Sequence, residues 1–114
     1  MEKLIGQIDG AVAVCVTGLD GLLIDHYSLD VQFDFEQLVA DCSQLLKNGT
    51  TTTESLSFGP LREVSLVTER MRIVLRLLAD SYFVALILSD NAHIGRARFR
   101  LRKIHLELER KLAL

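Results

Sequence analysis

The chain has 114 residues, a net charge of −2 and 49% hydrophobic residues, which sets the scale at one domain, 1–114, with a small core. The slightly acidic balance excludes a globally basic nucleic-acid binder, and the longest unbroken apolar run, Tyr82–Leu88, is far short of the roughly 20 residues needed to cross a membrane. So small a domain has little interior for that apolar content, so part of it is expected to be buried against another chain, most simply in a C2 dimer.

Leu4, Ile5 and Ile8 suggest a short amphipathic first helix. Residues 11–17 (AVAVCVT) and 22–28 (LLIDHYS) read as two strands, and the Gly18-Leu19-Asp20-Gly21 link between them signals a hairpin. A helix follows over 34–48. Asp34 and Gln37 form a capping pair, and Phe35, Leu38, Val39, Cys42, Leu45 and Leu46 recur at helical spacing as a core-facing stripe. Asn48-Gly49 reads as its C-terminal stop. Residues 49–61 (GTTTTESLSFGPL), with the only proline, read as a surface loop.

A strand is expected at 62–69 and another at 70–78. In the latter, Met71, Ile73, Leu75 and Leu77 alternate with Arg70, Arg72, Val74 and Arg76. Ala79-Asp80 should turn the chain into 81–88 (SYFVALIL), apolar on both faces and so central and covered on both sides. The G-R-A-R-F-R-L-R stretch at 95–102 alternates like a strand, but Ile94, Ala97, Leu101, Ile104, Leu108 and Leu112 continue at helical spacing. It therefore opens a last helix, about 91–113, capped by Ser89 or Asp90. The fold class is α/β (α+β), ordered α-β-β-α-β-β-β-α. A mostly antiparallel five-stranded sheet reads 22–28, 11–17, 81–88, 70–78, 62–69, with helices on both faces.

Charge is segregated along the chain. Residues 1–63 hold ten acids against three bases, and 96–111 hold seven bases against two acids, a dipolar surface suited to steering a charged protein partner. Cys15 and Cys42 have no framework spacing and read as reduced, buried thiols. The N-terminus lacks a signal-peptide pattern, which points to the cytoplasm and leaves the formal Asn48-Gly49-Thr50 sequon without a route to modification. No P-loop and no GxSxG element occurs, and His26, His93 and His105 lack ligand spacing. No cofactor, metal or catalytic residue is indicated.

The order of elements, Asp20-Gly21-Leu22-Leu23-Ile24 in the first hairpin, the VTERMRIVLRLLADSYFVALIL meander and NAHIGRARFRLRK opening the last helix carry a resemblance. Over about 8–113 the chain resembles the roadblock/dynein light chain family, a longin-related fold, and within it the MglB-like bacterial and archaeal proteins. Asn91, Gly95 and Arg96 or Arg98 fit that family's Asn…Leu-Gly…Arg habit, with Ile94 replacing the leucine. The resemblance implies a dimer joined through the edge strand before the middle hairpin and the helix after the first hairpin. It further implies a non-enzymatic regulator or scaffold that binds a small Ras-like GTPase and modulates its nucleotide cycle. The alternative it leaves open is a structural adaptor subunit that pairs with another roadblock-type or motor-complex protein. A small-ligand sensor or enzyme on such a sheet is the rival from another class.

Two surfaces are candidates on the residues themselves. Glu36, Ala40, Ser43 and Lys47 form a second face of the 34–48 helix. Small Ala40 and Ser43 would let two helices approach, with Glu36 of one chain beside Lys47 of its mate; a plain solvated face is the alternative. With the edge strand (Val64, Ser65, Leu66, Val67), poorly protected against pairing, this makes the expected homodimer interface. On the last helix, Phe99 and Leu106 lie roughly 150–175° from the core stripe, beside Arg102 and Lys103. They form a candidate partner-binding patch or, alternatively, a solvated face with two isolated apolar side chains.

Overall fold

The computed structural model describes residues 1–30, 32–79 and 81–114. The elements run α1 (Glu2–Gln7), β1 (Ala11–Gly18), β2 (Leu23–Ser28), α2 (Phe35–Ser55), β3 (Glu63–Val67), β4 (Met71–Leu78), β5 (Tyr82–Ser89) and α3 (Ile94–Lys111). The strands form one five-stranded sheet in the order β2-β1-β5-β4-β3, and every pairing in it is antiparallel. Order and topology are those expected from the sequence.

The period of two divides each strand between two cores. Val14 and Val16 of β1, Val74 and Leu78 of β4, and Val84, Leu86 and Leu88 of β5 face α1 and α3, where Leu4, Ile5, Ala97, Leu101 and Leu108 meet them. The alternate residues Ala13, Cys15, Leu75, Phe83, Ala85 and Ile87 face α2, which supplies Val39, Cys42 and Leu46. β5 has a covered side on both faces, so six consecutive residues, Phe83–Leu88, are buried. Burial of a side chain such as Leu101 or Leu46 contributes about 1.5–3 kcal/mol, more than the few tenths each that cations in the first turns of α3 cost against the helix dipole. Gly10 (φ 85°) joins α1 to β1 where any side chain would collide with Ala92.

Helix α2 runs seven residues past the expected stop at Asn48. Gly49 is a helical residue at a close approach: a Cβ there would sit 3.0 Å from Leu61 Cδ2. The threonines that read as loop satisfy their hydroxyls inside the helix. Thr51 Oγ1 donates to the Lys47 carbonyl (3.1 Å), Thr52 Oγ1 to Asn48 (3.0 Å) and Thr53 Oγ1 to Thr50 (3.1 Å). The helix ends in a Schellman motif: Ser57 adopts φ 58° and its N–H donates to the Glu54 carbonyl (3.1 Å), while the Phe58 N–H donates to Thr53 (2.9 Å). The start matches expectation, the Gln37 N–H donating to Asp34 Oδ1 at 3.0 Å.

The last helix also starts differently. It begins at Ile94, and its cap is His93, whose Nδ1 accepts from the Arg96 N–H (3.1 Å), rather than Ser89 or Asp90. The strand expected over 62–69 is shorter, because Thr68 closes a tight turn: its N–H donates to the Met71 carbonyl (2.9 Å) and its hydroxyl oxygen accepts from the Met71 N–H (3.1 Å). The turn expected at Ala79-Asp80 includes Asp80, which lies outside the described residues; Ala79 takes a left-handed φ of 50°.

Candidate functional site

β3 pairs with β4 alone and forms one edge of the sheet. Its register with β4 sets Val64 opposite Leu75 and Leu66 opposite Ile73, so Val64 and Leu66 lie on the α2 side. Glu63, Ser65 and Val67 lie on the other side, and Val67 is 63% exposed. Between this edge and α2 runs an apolar groove of about 410 Å³, lined chiefly by Phe33, Leu38, Cys42, Leu45, Leu66 and Ile73. Its rim is polar: Gln37 Nε2 donates to Asp41 Oδ2 at 2.6 Å. An open strand edge beside an apolar groove is a surface built to be covered.

The expected helix face is not at that edge. Glu36, Ala40 and Lys47 are exposed, but Ser43 is buried, 6% exposed, and its hydroxyl has no hydrogen-bond partner among the described residues. At about 100° per residue, Ser43 lies only about 70° from the centre of the Val39–Cys42–Leu46 stripe, inside the covered arc. Glu36, Ala40 and Lys47 follow on that same flank, whereas Leu38, Asp41 and Leu45 occupy the opposite flank, against β3. The structure therefore groups Val64 and Leu66 with Leu38 and Leu45, and does not bring Glu36, Ala40, Ser43 and Lys47 together with them. Ser43 cannot serve as an exposed small residue.

On α3 the outer face is as expected. Phe99 and Leu106 are 53% and 70% exposed, Arg102 and Lys103 are exposed beside them, and Lys103 Nζ sits over the Phe99 ring, 5.1 Å from its centroid.

Beneath α3 lies a charged cluster that the sequence reading missed. Glu63, on the edge strand, binds Arg98 of α3 with one oxygen (2.7 Å) and Arg76 of β4 with the other (3.4 Å). Arg76 Nε donates to His105 Nδ1 (2.8 Å), and His105 Nε2 pairs with Glu109 Oε1 (2.6 Å), which also accepts the Ala79 N–H (3.0 Å). Because Arg76 can only donate, His105 Nδ1 is the accepting nitrogen, which leaves Nε2 to face Glu109. The Ala79 N–H above all holds the Glu109 carboxyl below its usual range; desolvation pushes the other way, and the His105 hydrogen bond and the Arg76 charge add smaller downward pulls. A signal for part of this was available: a hairpin turning at Glu69-Arg70 puts Glu63 opposite Arg76.

Both thiols are buried. Burial first, then the neighbouring Cys42, pushes Cys15 up to about 12, with a backbone hydrogen bond from Ala85 opposing. Burial and then Asp41 push Cys42 up to about 11. Neither is a nucleophile at neutral pH. His93 is used as a cap, and His26 stacks against Phe35 at 4.8 Å. No helix among the described residues is long and apolar enough to cross a membrane.

Neither a family model nor a curated protein matches this sequence. Solved structures do. The chain is similar to a Roadblock/LC7 domain from Streptomyces avermitilis, with a TM-score of 0.88 at 15% identity over 100% of this chain and 95% of that one. It is similar to MglB from Myxococcus xanthus, with a TM-score of 0.83 at 14% identity over 97% and 95%. It is also similar to MglC from Myxococcus xanthus, at a higher identity of 28% and a TM-score of 0.66, over 97% and 94%. The chain has the roadblock/LC7 fold shared by MglB, in agreement with the resemblance read from its sequence.

Proposed function

We propose that this chain is a homodimeric, non-enzymatic regulator or scaffold that binds a small Ras-like GTPase and modulates its nucleotide cycle. The observation that carries the reading is the unpaired β3 edge beside an apolar groove, on a fold shared with MglB. Two β3 strands pair across a twofold axis, which satisfies both edges through Val64, Ser65, Leu66 and Val67. Leu38 and Leu45 of α2, in place of the Glu36–Lys47 face, close the groove. The outer face of α3, with Phe99, Arg102, Lys103 and Leu106, meets the GTPase, its cations steering an acidic surface.

Sedimentation of Leu45→Lys/Leu66→Lys tests the dimer. Both side chains are only partly buried in the protomer, so a folded monomer is expected, and an intact dimer refutes the interface. Capture of Ras-like GTPases in GDP and GTP-analogue forms tests the function. Binding that depends on the nucleotide and is weakened at least tenfold by Phe99→Ser/Leu106→Ser supports it. Capture of a roadblock-type partner with no nucleotide-dependent GTPase binding replaces it with the adaptor reading.

A further inference from the structure

A second cleft, of about 450 Å³, lies at the opposite end of β3 from the Thr68 turn, between the β3–β4 pair and the middle of α3. Arg62, Arg76, Arg102 and His105 line it, with Leu61 and Leu106 among its apolar walls. No carboxylate is among its described lining residues. Two acids of the neighbouring cluster are turned to other work: both oxygens of Glu63 are held by Arg76 and Arg98, and Glu109 is engaged by His105 and the Ala79 N–H. Arg62 and Arg102 are exposed and enter no ion pair among the described residues.

Arg76 differs from those two. Its side chain is only 15% exposed, and it is fixed by Nε on His105 and Nη1 on Glu63. A guanidinium has five N–H donors, so two are spent on holding the fork still and three remain. His105 has both nitrogens engaged and offers a ligand no further donor. One oriented fork, two mobile cations and apolar walls suit a single planar carboxylate with an apolar neighbour, matched by the fork's geometry.

We propose that this cleft receives an acidic segment of a partner protein: a carboxylate seated on Arg76 and clasped by Arg62 and Arg102, with the adjoining apolar side chain on Leu61 and Leu106. The inference rests on the reading of this chain as a protein-binding module and names the chemistry its partner must present.

The test is an NMR titration of the full isotope-labelled chain with acetyl-Glu-Leu-Glu-amide, acetyl-Gln-Leu-Gln-amide and inorganic phosphate. The Arg76 Nε–H and the amides of Leu77, Ala79 and Leu106 report. The glutamate peptide is expected to give saturable shifts there that weaken with added salt. The glutamine peptide should give none, and Arg62→Ser/Arg102→Ser should bind at least tenfold more weakly with an otherwise unchanged spectrum. Equal binding of the two peptides, or affinity within twofold in the double variant, overturns the proposal. Phosphate saturating the same signals more tightly than the glutamate peptide also overturns it, and assigns the cleft to a phosphorylated ligand. Loss of nucleotide-dependent GTPase capture with peptide binding intact overturns only the GTPase reading; peptide binding that fails while capture succeeds overturns only this one.

Discussion

Glu63 is the point at which the edge strand is tied to the helix above it, and Glu63→Gln keeps its shape while removing its charge. The carboxylate is 9% exposed, against 15% for Arg76 and 42% for Arg98. A hydrogen bond to a charged group contributes about 1.5–3 kcal/mol when shielded from water. The Arg76 contact, at 3.4 Å, belongs at the low end of that range. The Arg98 contact is short, at 2.7 Å, but more than a third exposed, and screening cuts it to roughly 0.5–1 kcal/mol. Together they predict a loss of about 2 kcal/mol, or a fall of about 8 °C in Tm at fixed protomer concentration. Urea unfolding measures the first and calorimetry the second. Because β3 hangs on β4 alone within the protomer, its amides should also exchange about 30-fold faster, by the same free energy. A loss below about 0.5 kcal/mol, or β3 amides whose exchange is unchanged, would refute the idea that this carboxylate holds the edge in place.

Two further expectations concern titration. Cys15 and Cys42 ionise at about 12 and about 11 in the folded chain, against 9.0 for a free thiol. Unfolding therefore releases protons above pH 9, and stability should fall from pH 9 upward; Cys42→Ala should flatten that limb in urea titrations, and native protein at pH 8 should leave a thiol reagent unreacted. Glu109 runs the other way: its carboxyl is held below 4.5 when folded. Its contribution is present above that pH and is lost as pH falls through the lowered folded value, so Glu109→Gln should cost stability at pH 7 and reduce the slope of acid unfolding. An unaltered acid limb in that variant would remove Glu109 from the account.

Element types were legible wherever burial imposed a period. The run Tyr82–Leu88 could only be a strand covered twice, and Met71–Leu78 alternates because its two sides feed two cores. The helix opening with G-R-A-R-F-R-L-R declared itself through Ile94, Ala97, Leu101, Ile104 and Leu108, not through its arginines. Boundaries were less legible, because local chemistry that reads as a stop is also compatible with a helix when something presses on it. Gly49 accommodates Leu61, and three threonine hydroxyls find carbonyls one turn back. The actual terminator, Ser57 at φ 58°, carries no glycine to announce it.

The candidate site was half legible for a related reason. Helical spacing fixes which stripe of α2 faces the sheet, but not which flank of that stripe lies toward β3 and which toward β2. Small residues on a wheel then look like a packing face wherever they fall. Ser43, at the margin of the stripe, is inside the domain, and the flank that meets the edge strand carries Leu38 and Leu45, which the sequence had already committed to the core. Both are only partly buried in the protomer. A residue that has helical core spacing but is incompletely covered is therefore a better sign of an interface on this helix than a residue outside the core pattern. The groove between α2 and β3 then gives part of the apolar content that seemed too large for a domain of this size a place where a second copy can bury it.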